Sequence, residues 1–264
     1  MILNIIKDKP TRLFLLLGGF FIANALIAEF IGVKIFSFEA SVGLQPMRLP
    51  LFGSDFSFDL TAGVLLWPVV FVMTDIINEY YGQKGVKFLS YLTAALISYA
   101  FLMFFIAIRL APAAWWPASK ASTGVADMQQ AYQAVFGQGL WIIIGSLTAF
   151  LLGQILDVMV FRRIKKFTGE KAIWLRATGS TLVSQLIDSF VVLGIAFYVG
   201  PLIGPSNGTP WTLKTLLTVG TGNYLYKFVV AILMTPAIYL VHGIIERYLG
   251  HDKAAEMKKA AMQR

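Results

Sequence analysis

The chain has 264 residues, 57% of them hydrophobic and only 14% charged, with a mean hydropathy of +0.71. A soluble domain carries about 25% charged residues, so this chain has too few charges to solvate a globular surface, and its solvent is lipid. The net charge of +8 is read as cations gathered at one membrane face, not as a nucleic-acid footprint. The absence of cysteine excludes a disulfide framework, a thiolate nucleophile and a Cys-based metal site.

A membrane span needs about 20 mostly apolar residues. Six segments qualify: 13–33, 60–80, 88–110, 140–161, 180–199 and 216–240. In lipid every backbone donor and acceptor must be satisfied within the chain, so the spans are expected to be helices. A transmembrane barrel would need short alternating strands, which these unbroken apolar runs contradict. The first segment follows Lys7, Lys9 and Arg12 and contains Ala23-Asn24-Ala25, a pattern that a signal peptide would also show. Its apolar run continues to Val33, too long for a signal core, so it is expected to remain as a span.

The connections follow in order. Ser37–Asp59, with Pro46, Pro50 and Gly53, is expected to form a hairpin or an irregular cover. Pro112–Gly139 carries Trp115-Trp116-Pro117, which suits an interfacial aromatic anchor. Met128, Tyr132, Val135 and Phe136 then recur at helical spacing and predict a short amphipathic surface helix. The loop Arg162–Arg176 is rich in cations and is expected to set orientation and touch anionic lipid. Residues 247–264 read as a basic continuation of the last helix, a polar tail solvated near anionic lipid.

Sixteen Lys and Arg residues lie in the N-terminal tail, in the loops after spans two and four, and in the C-terminal tail. Five lie on the other side: Lys34, Arg48, Arg109, Lys120 and Lys214. The positive-inside rule then places both termini in the cytoplasm. The expected fold is an all-α integral membrane protein of the cell inner membrane. It is a single transmembrane domain over 1–264, built as a bundle of six transmembrane helices.

Polar residues inside the spans mark where function is expected. Glu29, Asp75, Asp157, Asp188 and Lys227 lie within them. A charge at mid-bilayer costs about 2.5–3.5 kcal/mol even on the lenient insertion scale, so each must face the bundle interior. Thr181, Ser184, Gln185 and Asp188 recur at i, i+3, i+4 and i+7 and form one polar stripe. Ser146, Gly153, Gln154 and Asp157 share a face of span four. Asp75 and Asn78 share a face of span two, with Glu79 one turn past Asp75. Asn223, Tyr224 and Lys227 cluster in span six. Four stripes converging on one cavity would satisfy each other, and a polar ligand would complete the set. A closed structural network, with Lys227 paired to Asp188 or Asp157, is the competing reading. Three interior aspartates against one lysine favour the ligand cavity. Glu29 is expected to make an interfacial pair with Lys34.

The motifs that are missing also discriminate. There is no G-x-x-x-x-G-K-[ST], no H-E-x-x-H and no G-x-S-x-G, so neither nucleotide hydrolysis nor these hydrolase chemistries are expected. The chain is read as a non-enzyme without a cofactor.

Four short motifs carry a resemblance. Asp75-Ile-Ile-Asn-Glu-Tyr-Tyr-Gly82 closes span two, and Gly153-Gln-Ile-Leu-Asp-Val-Met-Val-Phe161 closes span four. Trp174 through Ser189 contains Ser180-Thr-Leu, and Asn223-Tyr-Leu-Tyr-Lys227 lies in span six. In this order, from about Leu60 to Val241, they resemble the queuosine precursor transporter family, also called the vitamin uptake transporter group. The resemblance implies six helices and inner-membrane uptake of 7-cyano-7-deazaguanine, with its 7-aminomethyl analogue as a further substrate. It also implies a likeness to the substrate-capture subunits of energy-coupling vitamin transporters. The chain departs from the family pattern in its long first outer loop, Ser37–Asp59, and in Arg176, where a small residue is expected.

The chemistry agrees. A deazaguanine offers an N–H and an amino group side by side, which a carboxylate accepts in a bidentate manner. Asp157 or Asp188 would accept them, while Gln154, Gln185 or Lys227 would donate to the ring carbonyl. Tyr224 or Phe190 would stack on the ring. The alternative is a binding subunit for another vitamin-like solute that needs a separate energising partner. The expected partners are a small deazapurine and membrane lipid, not nucleic acid.

The cation asymmetry makes one direct prediction. A reporter fused after Arg264 should be active when it is a cytoplasmic reporter and silent when it is a periplasmic one. The reverse pattern would invert the topology.

Overall fold

A computed structural model describes residues 7–45, 49–51, 54–56, 58–169, 172–204 and 209–263. Helix α1, Lys9–Ile31, opens with Asp8 accepting the Thr11 N–H and with Pro10 in the first turn, where its missing N–H costs nothing. Strand β1, Ile35–Ser37, leads into a short helix α2, Phe38–Ser41. Strands β2, Leu49–Leu51, and β3, Ser54–Phe56, pair antiparallel, and β4, Asp59–Thr61, returns beside β1 with Phe36 opposite Leu60. The hairpin expected in the first outer loop is therefore present, and these four short strands are an addition to the all-helical expectation.

Helix α3, Trp67–Arg109, runs for 43 residues. As a straight rod it would be about 65 Å long, twice the hydrocarbon thickness. It is not straight, because Gly82 sits at φ 73 and ψ −177. Thr74 Oγ1 donates to Gln154 Oε1 at 2.8 Å, and Ser90 Oγ reaches the same oxygen at 3.4 Å. In a continuous helix residues 74 and 90 would be about 24 Å apart. Both can meet one side chain only if the chain folds back at Gly82, so residues 67–81 and 83–109 form two antiparallel limbs.

Helix α4, Met128–Phe136, is the short amphipathic element expected there, capped by Asp127. Helix α5 is Leu140–Thr168 and α6 is Ile173–Leu193. A wide turn, Gly194–Val199, and helix α7, Gly200–Ile203, prolong α6. Helix α8, Leu213–Leu233, starts at a Thr212 cap, and α9 is Thr235–Leu249. Among the described residues five helical segments are long and apolar enough to cross a membrane, with the folded-back α3 counted once. The expected span 216–240 is broken at Met234, because Pro236 has no N–H to give and its ring crowds the carbonyl one turn back.

Two further expectations are corrected. Segment 247–264 is neither a continuation of the last helix nor fully solvated. Gly250 at φ 88 ends α9, and helix α10, His251–Gln263, turns back onto α3. Ala254 is 1% exposed there, and Lys258 pairs with Glu246. That hydrogen bond holds the Glu246 carboxyl below its usual range. The loop 162–176 is also not a purely solvated cation cluster, since α6 begins at Ile173 and both Lys165 and Arg176 are buried.

One end of the bundle gathers the basic segments. Lys9 and Arg12 bond the Tyr248 carbonyl and hydroxyl, Tyr81 donates to the Pro10 carbonyl, and Arg162 donates to Gln83. At the other end Phe30 packs on Phe101 and Phe104, which meets Phe136. Between them the core joins Phe21, Val70, Ile76, Phe150 and Val158.

Gly82 combines a left-handed backbone conformation with a close neighbour. A Cβ there would lie 2.9 Å from the Ala261 carbonyl oxygen, on top of the conformational penalty. Gly82→Ala is expected to destabilise the protein by about 1–3 kcal/mol, read as a lower unfolding temperature in detergent. An unchanged midpoint would mean that the turn tolerates a side chain.

Candidate functional site

The polar stripes predicted on four helices do converge, but in two layers. The layer toward the basic end is a closed ion cluster. Glu79 accepts from Arg176 Nη2 at 2.7 Å and lies 3.0 Å from Lys165 Nζ. Arg176 also donates to the Gly169 carbonyl. Glu79 and Arg176 are fully buried, so α3, α5 and α6 are tied by charges that water does not reach. Sequence reading placed Lys165 and Arg176 in a lipid-facing loop. The available signal was Glu79 itself, an acid in a span that needed a cation one helix away.

The second layer lies deeper in the bundle. Asp75 on α3 is 1% exposed, and its oxygens lie 3.4 Å from the Ser180 and Thr181 hydroxyls of α6. Asp157 on α5 is fully buried and accepts from Ser184 at 3.3 Å. Asp188 on α6 binds Lys227 on α8 in a direct ion pair. Gly153 of α5 faces the Asp188 and Phe71 side chains. Glu29 turns inward instead of pairing with exposed Lys34, and it accepts the Ser146 hydroxyl of α5.

A narrow cavity, about 430 Å³ with its solvent-open part included, lies between the first limb of α3, α6 and the α8–α9 junction. Its polar lining is Asp75, Thr178, Thr181, Gln185 and Lys227. Its apolar lining includes Trp67, Phe71, Met234 and Ile238. The break at Met234 is thus part of the cavity wall. Gln185 Nε2 is buried without a partner among the described residues, a donor left for something else.

Of the nine residues singled out from sequence, Asp75, Gln185 and Lys227 line this cavity, and Asp188 holds Lys227 in place. Asp157 and Gln154 stand directly behind it through Ser184 and Thr74. Asn78 is buried with its amide nitrogen unpartnered, outside the lining. Asn223 and Tyr224 are half-buried on α8 and do not line it, and the Tyr224 ring meets Phe228 edge-on. Phe190, a candidate stacking ring, is packed against Gly220. The cavity's rings are instead Trp67 and Phe71, which lay in an apolar run with no feature to set them apart.

Comparison with known proteins bears on this arrangement. Residues 61–241 match the family described as "Putative vitamin uptake transporter". A protein of Bacillus subtilis named "Probable queuosine precursor transporter" is 29% identical over 72% of this chain and 75% of its own length. One of the same name from Haemophilus influenzae is 27% identical over 93% of both chains. The "Queuosine precursor transporter" of Escherichia coli is 25% identical over 76% of this chain and 80% of its own. No solved structure matches.

Glu79 faces two buried cations, Lys165 and Arg176. Removing one partner of a buried pair leaves a charge uncompensated, at a cost of about 3–5 kcal/mol. Glu79→Gln is therefore expected to lower the yield of folded protein far more than Lys166→Gln, measured by size-exclusion profile and unfolding temperature. Equal tolerance of both changes would mean that the cluster is not structural.

Proposed function

The chain belongs to the vitamin uptake transporter family of multi-pass membrane transporters, and on that premise we propose that it imports a queuosine precursor. The substrate in this reading is 7-cyano-7-deazaguanine, with the 7-aminomethyl analogue as a second one. The limbs of α3 count as two passes, so the chain crosses the inner membrane six times as one domain, with both termini in the cytoplasm. The fold-back at Gly82 and the gathering of cations at one end support this topology.

The observation that carries the substrate reading is the lining of the cavity. It brings a carboxylate, a primary amide, an ammonium group and two aromatic rings to one space. Asp75 accepts the N–H and amino group of the base as a bidentate pair. Gln185 Nε2, which has no partner among the described residues, donates to the ring carbonyl, and Lys227 does the same from α8. Trp67 and Phe71 cover the faces of the planar ring. Asp188 holds Lys227 in place. Asp157 and Gln154 support the carboxylate and the α3 fold-back from behind, and Asn78, Asn223 and Tyr224 extend the polar path outside the lining.

Two measurements test this. Purified protein should bind 7-cyano-7-deazaguanine, and cells lacking the chain should lose its uptake. Asp75→Asn replaces one acceptor oxygen by a donor and confronts the ligand's own donors. It should weaken binding by about 1.5–3 kcal/mol, roughly ten- to a hundredfold in Kd, with the unfolding temperature kept. Asp188→Asn combined with Lys227→Met should restore stability lost in Asp188→Asn alone, without restoring uptake. Full uptake by that double variant would remove the pair from the site.

A further inference from the structure

We propose that Asp75 and Asp157 share one proton, and that this proton is a second ligand of the site, carried together with the base. The inference rests on the reading of the cavity as a base-binding site.

The two carboxyls come from different helices, α3 and α5, and converge on one stretch of α6, Asp75 at Ser180 and Thr181 and Asp157 at Ser184 one turn on. They are 1% and 0% exposed. Their protein donors are three neutral hydroxyls: Ser180 and Thr181 at 3.4 Å and Ser184 at 3.3 Å. Asp157 Oδ2 receives no hydrogen bond from any described donor. The charged groups on the packed helices are committed elsewhere. On the basic side Glu79 of α3 is met by Lys165 of α5 and Arg176 of α6. On the other side Asp188 of α6 is met by Lys227 of α8. Among the described residues no cation is therefore left for the dyad.

Two carboxylates in contact and out of water cannot both be ionised. A single proton held between them resolves the contact. Of the two, Asp75 faces the cavity and Asp157 does not. A base that donates two hydrogen bonds to Asp75 stabilises that group as the anion and fixes the proton on Asp157. Loss of the proton would place two negative charges beside the bound base and expel it. Proton and base thus enter together, and release of one promotes release of the other.

The first test is spectroscopic and needs no substrate. Wild-type protein should show an infrared carboxylic-acid carbonyl band that is missing in Asp157→Asn. A wild-type spectrum without that band, or a band that survives the substitution, overturns the shared proton. The second test uses purified protein in liposomes with labelled 7-cyano-7-deazaguanine. Uptake should rise several-fold when the outside is made acid, and a protonophore should abolish the rise. Asp157→Asn should bind the base with an affinity that no longer varies with pH, and it should not accumulate it. Binding without gradient-driven uptake, or uptake indifferent to the protonophore, overturns the coupling. If the base does not bind wild-type protein at all, the substrate reading is what fails. The infrared comparison then decides on the shared proton by itself.

Discussion

Each ionisable side chain carried into the bilayer must find its partner on another helix, and in this protein that requirement decides which helix faces meet. Glu79 draws Lys165 from α5 and Arg176 from α6. Asp188 draws Lys227 from α8. Glu29 draws the Ser146 hydroxyl. Hydrophobic pressure cannot align these helices, because lipid is as apolar as their side chains. Polar contacts and close glycine approaches, such as Gly63 against the Ala28 carbonyl, fix the register instead.

The same requirement divides the bundle by role. Where anion and cation balance, as around Glu79, the result is a closed structural cluster. Where they do not balance, at Asp75 and Asp157, the structure holds acceptors without a protein cation. A cavity lies beside one of them. Surplus acceptors next to empty volume are what distinguishes a site from a clamp. The cavity is shaped by a proline-induced break at Met234 as much as by the polar stripes.

Much of this was legible in the sequence, for physical reasons. Long apolar runs have one solution in lipid, so helix positions followed directly. The stripe Thr181, Ser184, Gln185 and Asp188 followed from helical periodicity, and the first three are buried while Asp188 is half-buried. Pairing was harder. Periodicity assigns a residue to a face but does not rank the faces it can meet, so Lys227 had two possible partners until the helices were placed. Lys165 and Arg176 were misread because loop cations usually serve lipid, and nothing local shows that a helix starts three residues before Arg176. Trp67 and Phe71 were invisible for the opposite reason, being apolar residues in an apolar run. The basic segment 251–263 looked solvated because only its inner face, around Ala254, is apolar.

The seat of α10 on the Gly82 fold-back has a consequence in time. Helix α10 leaves the ribosome after every segment it touches, including the Lys9–Tyr248 and Arg12–Tyr248 contacts beside it. The two limbs of α3 must therefore enter the membrane and reverse direction while the carbonyl of Ala261 is still unmade. During synthesis the reversal is held by Gly82 and by the Gln154 bridge between its limbs, and afterwards α10 covers it. A chain interrupted before α10 would have its helices inserted but the basic end open, a state that a protease inspecting that face can distinguish from the finished protein.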